Sequence, residues 1–362
     1  MFMNIRFAIA SDLHIALPET IDAEAKRFHL TQFSIPALEV VLQHLQNLNL
    51  DFLLLPGDLT QDGEILNHCW LKTQLEKLPF PVYVIPGNHD IPSIKGNEDI
   101  IAFQDFPLYY QKCGYQSATK NLDYTCEIAP NLQLVALNSN NFDRDGKQQG
   151  YLKDEQFSWL EQTLANLTDK LVLLMIHHNV IEHLPQQSTH ILGRRYMLDN
   201  APRLLSILEK YGVKLIFTGH LHIQDVAKYG DIQEITTGSL ITYPHPYRIL
   251  TLTRDRLIIE SHHITKLPEM DDFAEFSQKW MGDRSFSFMM MMLTSPPLNL
   301  KEEKAKEYAP ILRNFWADIA HGDKQFDFPQ FPPEINKYFQ AFGAIDEQGK
   351  PVKKDNNTII EL

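Results

Sequence analysis

The sequence contains few cysteines and lacks a long hydrophobic run. Its 362 residues include three cysteines, Cys69, Cys113 and Cys126, which are widely spaced and form no C-x-x-C pair. This odd number argues against a disulfide framework and predicts buried thiols. No apolar stretch reaches the roughly 20 residues that a membrane-spanning helix needs. The N-terminal apolar segment runs into a polar motif without a cleavage site, so we expect a cytoplasmic protein that does not bind membranes.

Positive charge is also scarce. The chain has 33 basic against 46 acidic residues, a formal net charge of −13, and no run of Lys or Arg. This balance disfavours binding to nucleic-acid polymers and to anionic membranes, and it argues against a nuclease. The remaining composition, 44% hydrophobic and 22% charged, is ordinary for a globular protein. We therefore expect one large domain, alone or with an appendage.

Apolar strand-like runs alternate with amphipathic helical runs over the first two-thirds of the chain. This alternation predicts parallel β-α-β units and an α/β fold. The late segments 247–253 and 256–264 are expected to be antiparallel strands, and a short turn predicts a hairpin around residue 130. The five predicted strands that matter most for function are 5–10, 51–55, 81–85, 170–176 and 213–218.

The composition changes after about residue 266. A methionine run at Met289–Met292 precedes a segment, 300–320, whose apolar residues recur at helical spacing. We predict a catalytic domain at 1–265, a helical C-terminal appendage at 266–350 and a polar tail at 351–362. The appendage would either cover the substrate pocket or pair two subunits in a homodimer. The methionines would fill a core or interface, or line a ligand pocket.

Unusual polar residues follow all five predicted strands. A lone histidine or Gly-Asp pair at a strand end would be uninformative, but five coincidences of this kind are not expected by chance. In open α/β sheets ligands bind at the carboxyl ends of strands, so we expect these side chains to converge on one rim. The residues, in strand order, are Asp12 and His14, then Asp58, then Asn88 to Asp90, then His177 to Asn179, and finally His220 with His222.

Asp, His and Asn without sulfur form a donor set that suits Mn, Fe or Zn. The candidates are too many for one ion and sufficient for two, and an ionised Asp58 could bridge both. Two such cations would clamp a phosphoryl group and lower the pKa of a bound water. The glycines that precede Asp58, Asn88 and His220 suit turns where the backbone passes close to an ion.

The blocks D-L-H, G-D, G-N-H-D, H-H and G-H-L-H, in this order, resemble the signature of the calcineurin-like metallophosphoesterase superfamily. The resemblance covers residues 5–265 and is greatest to the bacterial branch with class III cyclic nucleotide phosphodiesterases and glycerophosphodiesterases. It implies an α/β (α+β) β-sandwich of two mixed sheets flanked by helices. It also implies two metal ions, the first held by Asp12, His14, Asp58 and His222, the second by Asp58, Asn88, His177 and His220.

The same resemblance suggests roles for neighbouring residues. His89 would face the scissile phosphate, stabilise the transition state and protonate the leaving oxygen, while Asp90 would orient it. His177 is preferred to His178 as the ligand because it stands where the strand ends. His178 would then lie behind the ligands or face substrate. Asn179 departs from the common H-H-P pattern and would reshape the loop 179–198.

Two further residues are candidates for substrate contact. Arg194, with Arg195, lies in the loop after the fourth block and would either pair with a phosphate or remain solvated. His245 lies between prolines after the fifth block, where it would either touch substrate or serve the structure. His29 and His68 have no partner that the sequence suggests.

The leading hypothesis is a dinuclear metal-dependent phosphodiesterase in which metal-bound hydroxide attacks phosphorus, acting on 3′,5′-cyclic nucleotides. An alternative keeps the chemistry and places it on glycerophosphodiesters, phosphomonoesters or other small phosphoesters. A third hypothesis, a metal-stabilised binding protein without catalysis, would require the loss of a ligand, and the signature blocks are complete.

Overall fold

Two six-stranded mixed sheets pack face to face in the computed structural model. The structure describes residues 4–22, 27–115, 121–190, 192–346 and 348–362. The strands, in chain order, are β1 (Ile5–Ile9), β2 (Phe52–Leu55), β3 (Val82–Val84), β4 (Tyr124–Ala129), β5 (Leu132–Leu137), β6 (Asn140–Phe142), β7 (Gln148–Gly150), β8 (Leu171–Ile176), β9 (Leu215–Thr218), β10 (Asp225–Tyr229), β11 (Ile232–Thr236), β12 (Pro246–Leu252), β13 (Arg256–His263) and β14 (Asn357–Glu361).

The helices flank the sandwich and build the C-terminal appendage. Across the described ranges, none is long and apolar enough to cross a bilayer. They are α1 (Ser34–Gln46), α2 (Ile65–Leu75), α3 (Phe106–Tyr109), α4 (Asp154–Ala165), α5 (Ala201–Lys210), α6 (Phe273–Arg284), α7 (Phe286–Thr294), α8 (Glu302–Tyr308), α9 (Phe315–His321) and α10 (Pro333–Gln340).

Both sheets are mixed, as the predicted fold requires. The first has the order β14-β13-β12-β1-β2-β3, in which β1, β2 and β3 are parallel and the other pairs antiparallel. The second has the order β10-β11-β9-β8-β5-β4, with four parallel strands between two antiparallel edges. The predicted β-sandwich, its parallel units and its two antiparallel pairs are therefore confirmed. The hairpins β6-β7 and β10-β11 were not predicted.

Aromatic and aliphatic side chains fill the space between the sheets. Phe7 of β1 stacks on Phe52 of β2 at 4.7 Å between ring centroids and meets Phe217 of β9 edge-on at 5.8 Å. All three rings are fully buried. Strands buried on both faces read as continuous apolar runs, which explains segments such as β2. Burial of each ring contributes about 2–3 kcal/mol to stability, and together they fix the mutual position of the sheets.

Alternation along β5 separates two cores. Leu134 and Ala136 face the space between the sheets, whereas Val135 and Leu137 face outward and pack in a second cluster with residues of α4 and α5. Successive side chains of a strand point to opposite faces, so the two faces of β5 pack against different cores. The second sheet is thus clamped between the sandwich core and a helical layer.

The appendage has its own apolar core. Residues of α6 to α10 pack in a third cluster that also includes Leu221 and Ile223, from the segment after β9. The prediction of a single helix over 300–320 is wrong. The segment is divided into α8, a 3-10 turn at Ala309–Leu312 and α9, because Pro310 has no N–H to donate to a continuous α-helix.

The last residues do not form a polar tail, and that expectation is wrong. They form β14, which pairs antiparallel with β13 from Asn357 opposite Glu260 to Glu361 opposite Arg256. Ile360 is buried against the main core, and this alternating burial was concealed by the polar residues around it. The division of the chain at residue 265 stays a prediction.

If β14 is part of the folded sandwich, its two adjacent isoleucines should differ in their effect on stability. Ile360→Ala removes a buried side chain and should lower the free energy of unfolding by about 2–4 kcal/mol. Ile359 is 53% exposed, so the matched change Ile359→Ala should cost less than about 0.5 kcal/mol. Urea denaturation of both variants measures the difference. Equal, small effects would show that the C-terminal strand is dispensable.

Candidate metal centre

Five strand ends bring polar side chains to one rim of the sandwich. β1, β2 and β3 contribute from the first sheet, and β8 and β9 from the second. The rim opens into a cleft of about 570 Å³. Predicted site residues in its wall are Asp58, Asn88, His89, His178, His220 and His222. The convergence expected from the sequence is present.

One group of donors lies where β1 and β9 end. The Asp12 Oδ1 to His222 Nε2 distance is 3.1 Å, and the His14 Nε2 to His222 Nε2 distance is 3.3 Å. Asp58 Oδ2 lies 3.8 Å from His14 Nε2. One ligand atom from each of these four residues lies within 4.8 Å of the others, a spacing compatible with a shared cation.

A second group shares Asp58 with the first. Asp58 Oδ2 lies 3.4 Å from His177 Nε2, which in turn lies 3.3 Å from Asn88 Oδ1. His220 completes this cluster, its ligand atom within 4.8 Å of those of Asp58 and His177. The same carboxylate oxygen therefore faces both groups, as a bridging ligand must.

The residues fit a pair of cations. The donors are carboxylate, amide and imidazole groups without sulfur, the set that suits Mn, Fe or Zn. Two imidazole nitrogens, of His14 and His222, face each other at 3.3 Å beside two carboxylates. Among the residues that the structure describes, the buried His14 Nδ1 has no hydrogen-bond partner. A cluster of carboxylate and imidazole groups at this spacing is stabilised by a cation placed between them.

The electrostatics differ among the donors: burial would lower the pKa of His177, but the Asp58 carboxylate raises it to about 9. Burial would raise the pKa of Asp58, but the His177 and His89 imidazoles hold that pKa well below its ordinary value. Burial lowers the pKa of His14 and of His220 well below the usual range. The shared carboxylate is thus ionised, while these two imidazoles are neutral and have a free lone pair.

The backbone at the centre is held in an unusual conformation. Five of the seven predicted ligands have positive φ: Asp12 (51°), His14 (43°), Asp58 (50°), His220 (69°) and His222 (60°). Non-glycine residues rarely adopt this region, and each instance costs on the order of 1 kcal/mol or more. Such strain persists only where the surrounding structure enforces it, and it clusters at functional sites.

Glycine is required where two of these turns approach a carboxylate. A Cβ on Gly87 would collide with the Asp58 carboxylate, and one on Gly219 would collide with Ser11 Oγ and the Asp12 carboxylate. The close approach at Gly219 allows the His220 N–H to donate a hydrogen bond to Asp12 at 3.0 Å. The predicted need for glycine before Asn88 and His220 is explained by the carboxylates themselves.

Hydrogen bonds aim the histidine rings. His177 Nδ1 lies 2.8 Å from the Pro56 carbonyl, which accepts a hydrogen bond from it, so Nε2 faces the centre. His178 Nδ1 pairs instead with Ser139 Oγ at 2.8 Å, although the ring lines the cleft. The structure thus brings His177, and not His178, to the shared carboxylate, while ligation itself stays a prediction.

The chain matches a known family of proteins. The sequence profile of the calcineurin-like phosphoesterase family matches residues 5–224, more than half of the chain. The chain belongs to the calcineurin-like phosphoesterase family. It is a metal-dependent phosphoric ester hydrolase, and the family uses a dinuclear divalent metal site, for which the two clusters around Asp58 are candidates.

Relatives of known or inferred activity share part of the chain. A probable glycerophosphodiester phosphodiesterase of Arcobacter nitrofigilis is 30% identical over 210 residues, which cover 56% of this chain and 68% of that protein. A 3′,5′-cyclic-nucleotide phosphodiesterase of a Nostoc species is 30% identical over 185 residues, covering 50% and 60%. A dimetal phosphatase from Danio rerio shares the fold, with a TM-score of 0.55 and 17% identity over 72% of this chain and 96% of that one.

Asp90 of this phosphoesterase does not orient His89, contrary to the prediction. Its buried carboxylate accepts hydrogen bonds from the N–H groups of Leu59, Thr60 and Gly87 at 2.8–3.0 Å. Burial, together with the Asp58 charge, raises the pKa of Asp90 to about 7. These hydrogen bonds satisfy buried backbone N–H groups that would otherwise lack a partner. They also connect the loop after β2 to the loop after β3.

Asp62 and Gln61 take the role predicted for Asp90. His89 Nδ1 donates to the Gln61 carbonyl at 2.6 Å and lies 3.6 Å from Asp62 Oδ1. Burial would lower the pKa of His89, but the Asp58 and Asp62 carboxylates and the Gln61 carbonyl raise it to about 9. Because Nδ1 is hydrogen-bonded, Nε2 is the nitrogen of His89 that is available to a ligand in the cleft.

For two candidate substrate residues, the structure supports the alternative role that the sequence left open. His245 is fully buried, pairs with the Leu240 carbonyl at 3.0 Å and stacks on Phe273, so it supports the appendage. Arg194 is largely exposed and faces Asp199 at 3.7 Å, outside the cleft wall. Its neighbour Arg195 lines the cleft instead. The 3-10 turn at 194–196 decides which guanidinium faces inward.

His29 is a site residue that the sequence did not reveal. Its ring stacks on His14 at 4.5 Å, and a ligand atom of His29 lies within 4.8 Å of those of His14 and His222. Its buried Nε2 has no hydrogen-bond partner in the described part of the chain. It belongs to an irregular segment before α1, far from any signature block. No spacing rule marks such a residue.

A buried carboxylate supports the loop after the fourth block. Glu234 of β11 accepts hydrogen bonds from the backbone of Val180 and Ile181, from Asn179 Nδ2 and from Thr218 Oγ1, at 2.6–3.1 Å. His183 lies between Glu234, at 3.0 Å, and Asp225, at 2.7 Å. Asn179, where relatives with H-H-P have proline, therefore anchors the loop to the second sheet.

Removal of the shared carboxylate should empty the centre. We expect Asp58→Asn to reduce the metal content to less than one ion per chain, because the neutral amide cannot bridge two cations. The matched change Asp62→Asn, 47% exposed and outside both clusters, should leave two ions. Mass-spectrometric metal analysis of folded, dialysed protein measures both. Two ions per chain in Asp58→Asn would contradict the bridging assignment.

The His183 ion pair should make stability depend on pH. Burial would lower the pKa of His183, but the Glu234 and Asp225 carboxylates raise it to about 9, above the unfolded value of about 6.5. A raised folded pKa stabilises fully below the unfolded pKa, and this contribution is lost as pH rises through about 9. The unfolding free energy of wild type minus His183→Gln should thus fall, by at most about 3 kcal/mol, between pH 6.5 and 9.5. A pH-independent difference in denaturation experiments would refute this.

Proposed function

We propose that this chain hydrolyses small phosphodiesters at a pair of Mn, Fe or Zn ions, with 3′,5′-cyclic nucleotides as its substrate class. The observation that carries the proposal is the Asp58 carboxylate, whose Oδ2 lies 3.4 Å from His177 Nε2 and 3.8 Å from His14 Nε2. A carboxylate shared by two donor clusters at the base of an open cleft is what a two-metal hydrolase of phosphoesters needs.

The metal ions and His89 would have separate roles in hydrolysis. When bound, the two ions supply a deprotonated water and positive charge opposite the phosphoryl oxygens. His89 would give its Nε2 proton to the leaving oxygen as the phosphorus–oxygen bond breaks, because Gln61 and Asp62 fix its Nδ1 side. A positive imidazolium at the cleft wall would also stabilise charge on the departing oxygen.

The choice of a cyclic nucleotide is supported by relatives and by the cleft. Curated relatives include cyclic-nucleotide phosphodiesterases and one probable glycerophosphodiesterase. Arg27, Lys147 and Arg195 line the cleft, where they favour an anionic ligand. A cleft of about 570 Å³ accommodates a mononucleotide. Glycerophosphodiesters and other small phosphoesters are the alternative substrates.

We also propose the kind of ligand, the cellular location and the subunit contact of this protein. The net charge of −13 disfavours binding to a nucleic-acid polymer or an anionic membrane, and we propose a cytoplasmic protein. Phe286, Met291 and Ile311 on the appendage are at least 40% exposed. These residues would form the contact if the appendage pairs two chains in a homodimer.

A substrate panel tests the function. With two equivalents of Mn²⁺, we expect hydrolysis of 3′,5′-cAMP with a kcat/KM at least tenfold above those for glycerophosphocholine and p-nitrophenyl phosphate. His89→Asn should lower kcat on cAMP by about 10²–10³ because it loses the proton donor, while metal content stays at wild-type level. Turnover of none of these esters by protein containing two ions would refute the proposal. Preference for glycerophosphocholine would establish the alternative.

A further inference from the structure

We propose that Phe28, Tyr196 and Trp316 form an aromatic subsite that binds the planar base of the substrate, with Trp316 as its stacking face. This inference rests on the proposed function and identifies what selects a nucleotide over a glycerol ester. All three residues line the same cleft as Asp58, His89 and the other site residues. Trp316 comes from α9, so the appendage contributes directly to the substrate site.

The aromatic wall flanks both donor clusters. The Tyr196 ring lies edge-on to His220 at 5.0 Å between centroids, beside the cluster of His177. Phe28 precedes His29, whose ring stacks on His14 at 4.5 Å, beside the other cluster. A phosphate held between the clusters would therefore have aromatic side chains within reach on either side.

The rings of the wall support one another. Phe288 of α7 meets Trp316 edge-on at 5.0 Å and Phe28 at 6.5 Å between centroids. Trp316 and Tyr196 also border a small apolar cavity of about 30 Å³ on the side of Phe288. Trp316 and Phe28 therefore pack on Phe288 as well as lining the cleft.

Two contacts fix the wall relative to the metal ligands. The core of the appendage includes Leu221, which stands between His220 and His222, and also Phe315, the neighbour of Trp316 in α9. Across the wall, the Arg195 guanidinium lies 4.7 Å above the Tyr196 ring centroid, and the Arg195 carbonyl lies 3.3 Å from His220 Nε2. Tyr196 and the core beneath Trp316 are therefore packed against the segment that includes His220 and His222.

The chemistry of this wall favours a base over a glycerol group. A half-buried indole offers an extended π surface on which any base stacks, and stacking on one aromatic side chain changes affinity by roughly tenfold or more. A glycerol group has no π face to pair with the indole, whereas the quaternary ammonium of choline would bind it through a cation–π contact, so a choline ester is not the right comparison. Discrimination between the two substrate classes would then depend on Trp316 rather than on the metal ligands.

A matched pair of variants tests the subsite. Trp316→Leu removes the π face, and Trp316→Phe keeps a smaller one. We expect Trp316→Leu to lower the ratio of kcat/KM for 3′,5′-cAMP to kcat/KM for glycerophosphoglycerol, an ester without a cationic or aromatic group, by about tenfold, and Trp316→Phe to lower it by less than threefold. Circular dichroism checks that both variants are folded. An unchanged ratio in Trp316→Leu would overturn the proposal.

Fluorescence provides a readout that does not depend on turnover. The reaction product 5′-AMP should quench the tryptophan emission of the metal-loaded protein, because the base stacks on Trp316. Trp316→Phe should abolish most of this quenching, whereas Trp159→Phe, a change in the helical layer over the second sheet, should retain it. Quenching that persists in Trp316→Phe would refute stacking even if cAMP is hydrolysed. Quenching without any hydrolysis would refute the proposed function and leave the subsite.

Discussion

The position of one carboxylate, that of Asp58, determines the arrangement of the site. It is fully buried, and it is shared by donors from both sheets. Holding it there requires positive φ at Asp58 and the absence of a Cβ at Gly87. Asp90 makes this conformation stable, because its carboxylate accepts hydrogen bonds from both adjoining loops. The strained turns and the buried second carboxylate therefore serve one purpose, to keep an anion at the junction of the sheets.

The sequence predicted this junction because its components obey local rules. Each predicted ligand directly follows an apolar strand, and the carboxyl ends of parallel strands meet at one edge of a sheet. The sandwich, the strand pairs and the convergence of Asp12, Asp58 and His220 followed from that rule together with the order of the signature blocks. The bounds of the strands differed from the prediction by one or two residues at most positions, too little to move a ligand from the rim.

The predictions that failed or stayed open concerned residues whose surroundings come from distant parts of the chain. Asp90 is next to His89 in sequence, yet its partners are on the loop after β2. His245 has the sequence context of a rim residue, but Phe273 of the appendage covers it. Ile360 lies among polar residues and is buried only because β13 offers an unpaired edge. His29 contacts His14 through a loop without regular pattern. Such contacts arise from tertiary packing and leave no local periodicity.

The packing of the appendage explains why substrate choice and catalysis can be separated in this fold. Leu221 belongs to the apolar core of the appendage, while the residues on either side of it, His220 and His222, belong to the metal centre. If Trp316 binds the base as proposed, a change of that cleft-lining side chain would alter which group is recognised, whereas a change in the core around Leu221 would also move the donors. An appendage that only joined two subunits would not need to place Trp316 in the wall of the cleft. Its position there favours a role in substrate recognition.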